Sequence, residues 1–221
     1  DRDFNRPKRD AKRGMLPPKL ARMMVNIAEG DPSKHTLLDP FCGVGTVLTE
    51  ALALGYTKLI ASDIDELATE ATRKNFAWEA RRTDSGVELQ VMTTKAQDLA
   101  TFLAPHSVDR IVAEFHLGKP RTGDEGRVEL ERRLEELVGM YTESFRAFAQ
   151  IVTEGAKLVI AVPAYVSDGS VIPAQIVDRA QMFGFELEPF EGVETTKFGA
   201  LRYGREGQMV LRDIYRFKNI K

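Results

Sequence analysis

The stretch Asp39-Pro40-Phe41-Cys42-Gly43-Val44-Gly45-Thr46 constrains the fold more than any other part of this 221-residue chain. It lies between the short apolar run Thr36-Leu37-Leu38 and a helical pattern from about Thr46 to Leu54. A strand, a glycine turn and a helix in that order make the first half of a βα unit. The two glycines let the backbone turn tightly and approach a ligand with no Cβ in the way. The N-terminus of the helix offers unpaired N–H groups to an anionic group. The spacing is close to a dinucleotide fingerprint, but Leu48 stands where the third glycine belongs. A pyrophosphate is therefore disfavoured, and a smaller anion, such as an amino-acid carboxylate, fits. Asp39, at the strand end, is placed to pair with the ammonium group of that ligand.

The rest of the chain repeats the βα rhythm. After Pro17 and Pro18 a helix is expected over 19–29. Strands are expected over 58–62, 87–92, 108–113 and 156–162, with helices over 66–81, 124–151 and 173–183 and a short helical stretch over 96–103. The stripe Leu130, Leu134, Leu137, Val138 and Tyr141 has helical spacing and reads as core. Segments 185–189 and 209–217 read as late strands, a candidate hairpin pair. Strands alternating with helices predict a doubly wound, mostly parallel α/β sheet that binds ligands at the edge where the strands end. Hydrophobic residues make up 43% of the chain, enough for one sizeable core, so 16–221 is expected to be one domain behind a basic arm over 1–15.

The same composition narrows the function classes. No apolar run approaches the roughly 18 residues of a membrane span. The charged start does not read as a secretory signal. With one cysteine, no internal disulfide is expected and the cytoplasm is the simplest location. His35, His106 and His116 lack metal-ligand spacing, so no metal is expected. Although the net charge is −2, residues 1–22 carry eight Lys/Arg against three Asp, and residues 194–221 carry seven against three acids. Two basic ends point to a polyanionic partner, or to a solvated tail and a charged edge strand.

Asp63 follows Gly43 by 20 residues at the tip of the second strand, where a carboxylate can accept both hydroxyls of a ribose. Asp65 is placed either for the same role or to cap the next helix. Asp98 is placed either to accept from an adenine amino group or to cap a helix. Cys42 reads as a small buried residue rather than a nucleophile.

The string Asp-Pro-Phe-Cys-Gly-x-Gly-Thr, with Ser62-Asp63-Ile64-Asp65 and Asn75 behind it, resembles the Rossmann-like S-adenosylmethionine-dependent methyltransferase domain of the tRNA guanine-N2 methyltransferases. Gly14-Met15-Leu16-Pro17-Pro18-Lys19-Leu20-Ala21 is similar to the segment that helps enclose the methyl donor in that family, and the tail from Tyr203 to Arg212 to its closing hairpin. The resemblance implies a Rossmann-like, mostly parallel seven-stranded sheet with an antiparallel last strand. It implies S-adenosylmethionine as cofactor, held by Asp39, Phe41, Gly43, Gly45, Thr46, Asp63, Ile64 and Asp98. It also implies tRNA as partner, and an RNA-binding THUMP domain whose place would be upstream of Asp1.

The fourth strand ends in Ala113-Glu114-Phe115-His116-Leu117-Gly118. There the family usually carries Asp/Asn-Pro-Pro followed by an aromatic residue. Its acidic or amide side chain and a backbone carbonyl accept hydrogen bonds from the target exocyclic amine, and the aromatic ring stacks on the flipped base. Glu114 keeps an acceptor that is one methylene longer, and Phe115 or His116 would supply the stacking face. Both prolines are gone, which predicts a less rigid loop. The basic loop Gly118-Lys119-Pro120-Arg121-Thr122-Gly123 would touch a phosphate, gate the site or simply lie on the surface. Three alternatives stand beside guanine-N2 methylation. They are adenine-N6 methylation of DNA or RNA, a catalytically silent cofactor-binding module, and an NAD-linked oxidoreductase, disfavoured by the missing third glycine.

Overall fold

A computed structural model describes residues 7–8, 15–82 and 86–221. The arm expected over 1–15 lies mostly outside the described residues, as does Gly14. The elements run α1 (Pro18–Ile27), β1 (Thr36–Asp39), α2 (Thr46–Ala53), β2 (Lys58–Asp63), α3 (Glu66–Ala80), β3 (Glu88–Thr93) and a 3-10 turn (Ala96–Thr101). Then follow β4 (Val108–Glu114), α4 (Arg127–Ile151), β5 (Val152–Ser167), β6 (Ser170–Pro173), α5 (Val177–Gln181), β7 (Phe185–Leu187), β8 (Leu201–Tyr203) and β9 (Val210–Asn219).

Seven strands form the main path of the sheet, in the order β3-β2-β1-β4-β5-β9-β7. The first five are parallel, and β9 runs antiparallel to both β5 and β7. This is the expected doubly wound sheet, widened by β6 beside β5 and β8 beside β9. The chain leaves β1 for β2 and β3 on one side and returns to place β4 on the other. The strand order therefore reverses between β1 and β4, which opens a crevice beyond their carboxyl ends.

Alternation along each strand builds a core on either face. Leu38, Ile60, Ile111 and Ala113 point to the face covered by α4, α5 and the 3-10 turn. Leu37, Leu59, Ala61 and Val112 point to the face covered by α1, α2 and α3. The Leu130-to-Tyr141 stripe of α4 is buried as its spacing predicts, and Phe145 and Phe148 extend it. Each such side chain contributes about 1.5–3 kcal/mol relative to exposure.

The structure departs from the sequence reading after β5. That strand runs on to Ser167 and folds back through Asp168-Gly169 onto β6, with Ser167 paired to Ser170. Both turn residues have positive φ (48° and 69°), the geometry of a two-residue hairpin whose twist matches the strands. An Asp-Gly pair flanked by Val166 and Val171-Ile172 is a hairpin signal in its own right. The helix expected over 173–183 is accordingly shortened to Val177–Gln181. The late strands do pair, Phe185 with Asn219, but through a long connection containing β8 rather than a tight hairpin.

Candidate functional site

The glycine loop sits at the crevice. Its fold is set by backbone bonds from Cys42 N to the Ser62 carbonyl (2.9 Å) and from Gly45 N to the Cys42 carbonyl (2.7 Å). Gly43 and Gly45 are both left-handed, with φ of 51° and 81°. At Gly45 a Cβ would come within 3.0 Å of Thr72 Oγ1, so the glycine is what lets α3 pack against the loop. At Gly43 the same test meets no described atom within 4 Å. Among the described residues that side of the loop is open, at the N-terminus of α2.

Three carboxylates, those of Asp63, Asp39 and Glu114, are electrostatically coupled at this opening, with Asp65 outside the set as a helix cap. Asp63 closes β2, and its two oxygens accept from Gly43 N (2.9 Å) and Asp65 N (3.0 Å). The 20-residue spacing read in the sequence is therefore a physical contact, and Asp63 holds the loop whose ligand it is expected to bind. Asp65 is the N-cap of α3, its carboxylate accepting from Leu67 N at 2.9 Å. Asp39 is 2% exposed and accepts from Phe41 N at 3.1 Å. Burial pushes its carboxyl well above the usual range, and the charges of Asp63 and Glu114 push it further. Glu114, at the end of β4, is the third carboxylate.

Other side chains tie the loop down. Thr72 Oγ1 donates to the Gly43 carbonyl (2.9 Å), and the buried Asn75 amide donates to the Val44 carbonyl (2.8 Å). Asn75 also exchanges two hydrogen bonds with the backbone of Lys8 (2.9 and 3.0 Å), which seats Lys8 beside the loop. Ile64 is 66% exposed at the rim. Asp98 is exposed in the first turn of the 3-10 helix, whose cap residue is Lys95, so the capping alternative for Asp98 does not hold. Thr46 is buried in the first turn of α2, and Cys42 is buried, its thiol pushed up by desolvation.

The end of β4 divides the three residues assigned to the target base. Phe115 is fully buried, continuing the Ile111-Ala113 face. Its ring packs on Phe41 (4.7 Å between centroids), Tyr141 (5.0 Å), Phe145 and Phe148. With its faces covered, it cannot stack on a base. That corrects the sequence assignment, and strand alternation already carried the signal. His116 is exposed. Glu114 pairs with Arg212 on β9, which donates from Nε to Glu114 Oε1. Burial raises the Glu114 carboxyl and Arg212 draws it back down.

The loss of both prolines does not leave the loop loose. Tyr141 OH donates to the His116 carbonyl, Tyr165 OH to the Leu117 carbonyl (2.8 Å), and Phe115 N to the Ala161 carbonyl (2.9 Å). Tyrosine hydroxyls from α4 and β5 hold the two carbonyls of this loop. Gly118 belongs to this clamp, because a Cβ there would lie 2.2 Å from Tyr165 OH.

Several cations assigned to phosphates are already paired inside the protein. Arg202 binds Asp213 through two bonds (2.7 and 2.8 Å), and Arg216 pairs with Glu29 and Glu188 (both 3.0 Å). Arg121 donates to the Val166 and Met209 carbonyls and anchors its loop rather than reaching outward. Of the C-terminal cations, Arg212 and Arg216 are thus answered by acids outside the stretch and Arg202 by Asp213 within it. A cavity of about 970 Å³ lies between α4, β6 and residues 194–198, and none of Asp39, Gly43, Asp63 or Glu114 lines it. No described helix is long and apolar enough to cross a membrane.

Residues 6–180 match the family described as RMKL-like, methyltransferase domain. Two curated relatives carry the name tRNA (guanine(10)-N2)-dimethyltransferase. The one from Methanothermobacter thermautotrophicus is 30% identical over 160 residues, 72% of this chain and 42% of the relative. The one from Methanocaldococcus jannaschii is 38% identical over 128 residues, 56% of this chain and 34% of the relative. The chain thus spans less than half the length of these relatives. The crystal structure of TrmN from Thermus thermophilus superposes with a TM-score of 0.64 at 21% identity, over 95% of this chain and 51% of that one, a likeness of fold. The match over most of its length, on a sheet with this strand order, establishes that the chain belongs to the RMKL-like methyltransferase domain family.

Proposed function

We propose that this domain transfers a methyl group from S-adenosylmethionine to the exocyclic N2 of a guanine in tRNA, in the cytoplasm. The observation that carries this reading is the partly buried Glu114 carboxylate at the end of β4, in one electrostatic neighbourhood with Asp39 beside the glycine loop. Relatives named for guanine-N2 methylation support the same substrate.

S-adenosylmethionine supplies a methyl group already activated on a sulfonium sulfur. The residues present suit it. Asp39 takes the ammonium, the N-terminus of α2 takes the carboxylate and Asp63 takes the ribose hydroxyls. A carboxylate offers about four lone-pair sites, so Asp63 can serve the ligand while holding Gly43 and Asp65. Asp98 accepts from the adenine amino group, with Ile64 and Phe41 as apolar neighbours. Glu114 would accept a hydrogen bond from the target amine and orient its nitrogen for attack. As the N–CH3 bond forms the S–CH3 bond breaks to leave the thioether, and the amine proton would pass to the Glu114 carboxylate or to water. His116 offers the stacking face that Phe115 cannot. What the protein supplies is alignment of donor and acceptor.

The deciding experiment is methyl transfer from labelled S-adenosylmethionine to unmodified tRNA and, separately, to DNA, with the products identified as nucleosides by mass spectrometry. N2-methylguanosine is the expected product. N6-methyladenine would move the substrate, and no label in a preparation that binds the cofactor would leave a silent module.

Two further results follow. Phe115→Ala is expected to cost about 3–5 kcal/mol in urea unfolding through the cavity it leaves, whereas His116→Ala is expected to lower kcat/KM and leave cooperative unfolding intact. Equal stability losses would remove the distinction drawn between them. Pairing with an ammonium requires ionised Asp39, so cofactor affinity should rise with pH through its raised pKa, and binding there should release a proton. Calorimetry in buffers of different ionisation heat measures this release, and proton-neutral binding between the usual carboxylate range and neutrality would contradict the role of Asp39.

A further inference from the structure

Glu114 and Arg212 lie 98 positions apart and meet over the end of β5, the strand between β4 and β9. Their side chains are 16% and 9% exposed. Arg212 is held by the sheet, paired in register with Pro163 of β5 on one side and Tyr203 of β8 on the other. Its Nε contact engages one oxygen of Glu114, so the second oxygen and the remaining lone pairs are available to a base.

We propose that Arg212 is a positioning residue that determines which base this site accepts. By pairing with Glu114 it keeps that side chain an acceptor only, matched to the adjacent N1–H and N2–H donors of guanine and mismatched to the donor-beside-acceptor edge of adenine. The inference rests on the methyl-transfer reading above and adds to it the source of its base selectivity.

The argument is one of donor and acceptor complementarity. An ionised carboxylate has no hydrogen to give, whereas a protonated one is a donor and an acceptor side by side, the complement of adenine N1 and N6. Burial favours the protonated form. Among the described residues, the groups electrostatically coupled to Glu114 are Arg212 from β9, Asp39 from β1 and the Tyr141 hydroxyl from α4. Of these only Arg212 is a cation, and it is the one that offsets the effect of burial. Without Arg212 the site would drift towards the adenine pattern. A mismatch in a site built on hydrogen bonds leaves buried polar groups unpaired, which is costly.

The test uses Arg212→Gln and Arg212→Lys with two readouts. The first is the titration of the Glu114 carboxyl by carbon NMR, its signal assigned by its loss in Glu114→Gln. The second is the ratio of N2-methylguanosine to N6-methyladenosine formed in tRNA across the neutral pH range. In Arg212→Gln the Glu114 midpoint is expected to rise, and guanine methylation to fall at least about tenfold, with its acid limb moved to higher pH. The adenine share of product should increase, and Arg212→Lys should restore much of the wild-type pattern. An unchanged midpoint overturns the proposal, as does a slower variant whose pH profile and product ratio match the wild type. If the wild type makes no N2-methylguanosine, the methyl-transfer reading fails and takes the selectivity with it, while a shifted midpoint would still establish the pairing.

Discussion

Glu114→Gln is expected to lower kcat by about two to three orders of magnitude while leaving cofactor affinity nearly unchanged. Glutamine keeps the length of the side chain, and its carbonyl still accepts from Arg212, so the buried arginine keeps a partner. What changes is the side facing the base, where an NH2 replaces an acceptor and meets the donors of guanine head-on. Because burial raises the Glu114 carboxyl and the ionised form does the work, wild-type turnover should be lost as pH falls through that raised pKa. The variant should lose this limb. Glu114→Ala is the poorer test, since it strands Arg212 in a nearly closed setting, and breaking a buried pair costs about 3–5 kcal/mol. Single-turnover methyl transfer with calorimetric cofactor binding makes the measurement. Wild-type turnover in Glu114→Gln would falsify the role given to Glu114.

Asp63→Ala is expected to weaken cofactor binding by about 10–100-fold and to lower folding stability by about 1–3 kcal/mol, the range for charge-assisted hydrogen bonds and stranded backbone donors. The two effects have one cause. The carboxylate that would bind the ribose also accepts from Gly43 N and Asp65 N, so its loss frees the glycine loop together with the entry to α3. Asp63→Asn retains one acceptor oxygen and should fall between wild type and alanine on both measures. Equilibrium binding and thermal unfolding of the same samples test the coupling. Weakened binding at undiminished stability would mean that the loop does not depend on Asp63, and the reverse would remove Asp63 from the ligand.

Much of this site is local, and local structure is legible from sequence. The strand, glycine turn and helix around residues 36–54 interact over a few positions, and the turn needs the conformations that glycine gives without strain. The period of α4 states which face is buried, because 3.6 residues per turn leave little choice. The Gly43–Asp63 spacing spans one βα crossover, whose handedness returns the chain beside its start. The Asp168-Gly169 hairpin and the inward face of Phe115 are local as well, since turn chemistry and strand alternation dictate them.

The partners of the charged residues were of another kind. Sequence counts charges, but it does not say which are answered. Arg202, Arg212 and Arg216 read as a basic surface, and the fold turns them onto Asp213, Glu114 and the Glu29–Glu188 pair. Arg216 and Glu29 lie 187 positions apart, and only the sheet order brings β9 between β5 and β7. Pairing across that distance has no period to betray it. The sequence by itself thus determined the wound sheet, the glycine loop and the carboxylates at its mouth, because each follows from short-range sterics and repeat. Only the tertiary structure decided that Glu114 would meet a guanidinium and that Arg216 would meet Glu29 and Glu188, because charge pairing depends on which strands become neighbours.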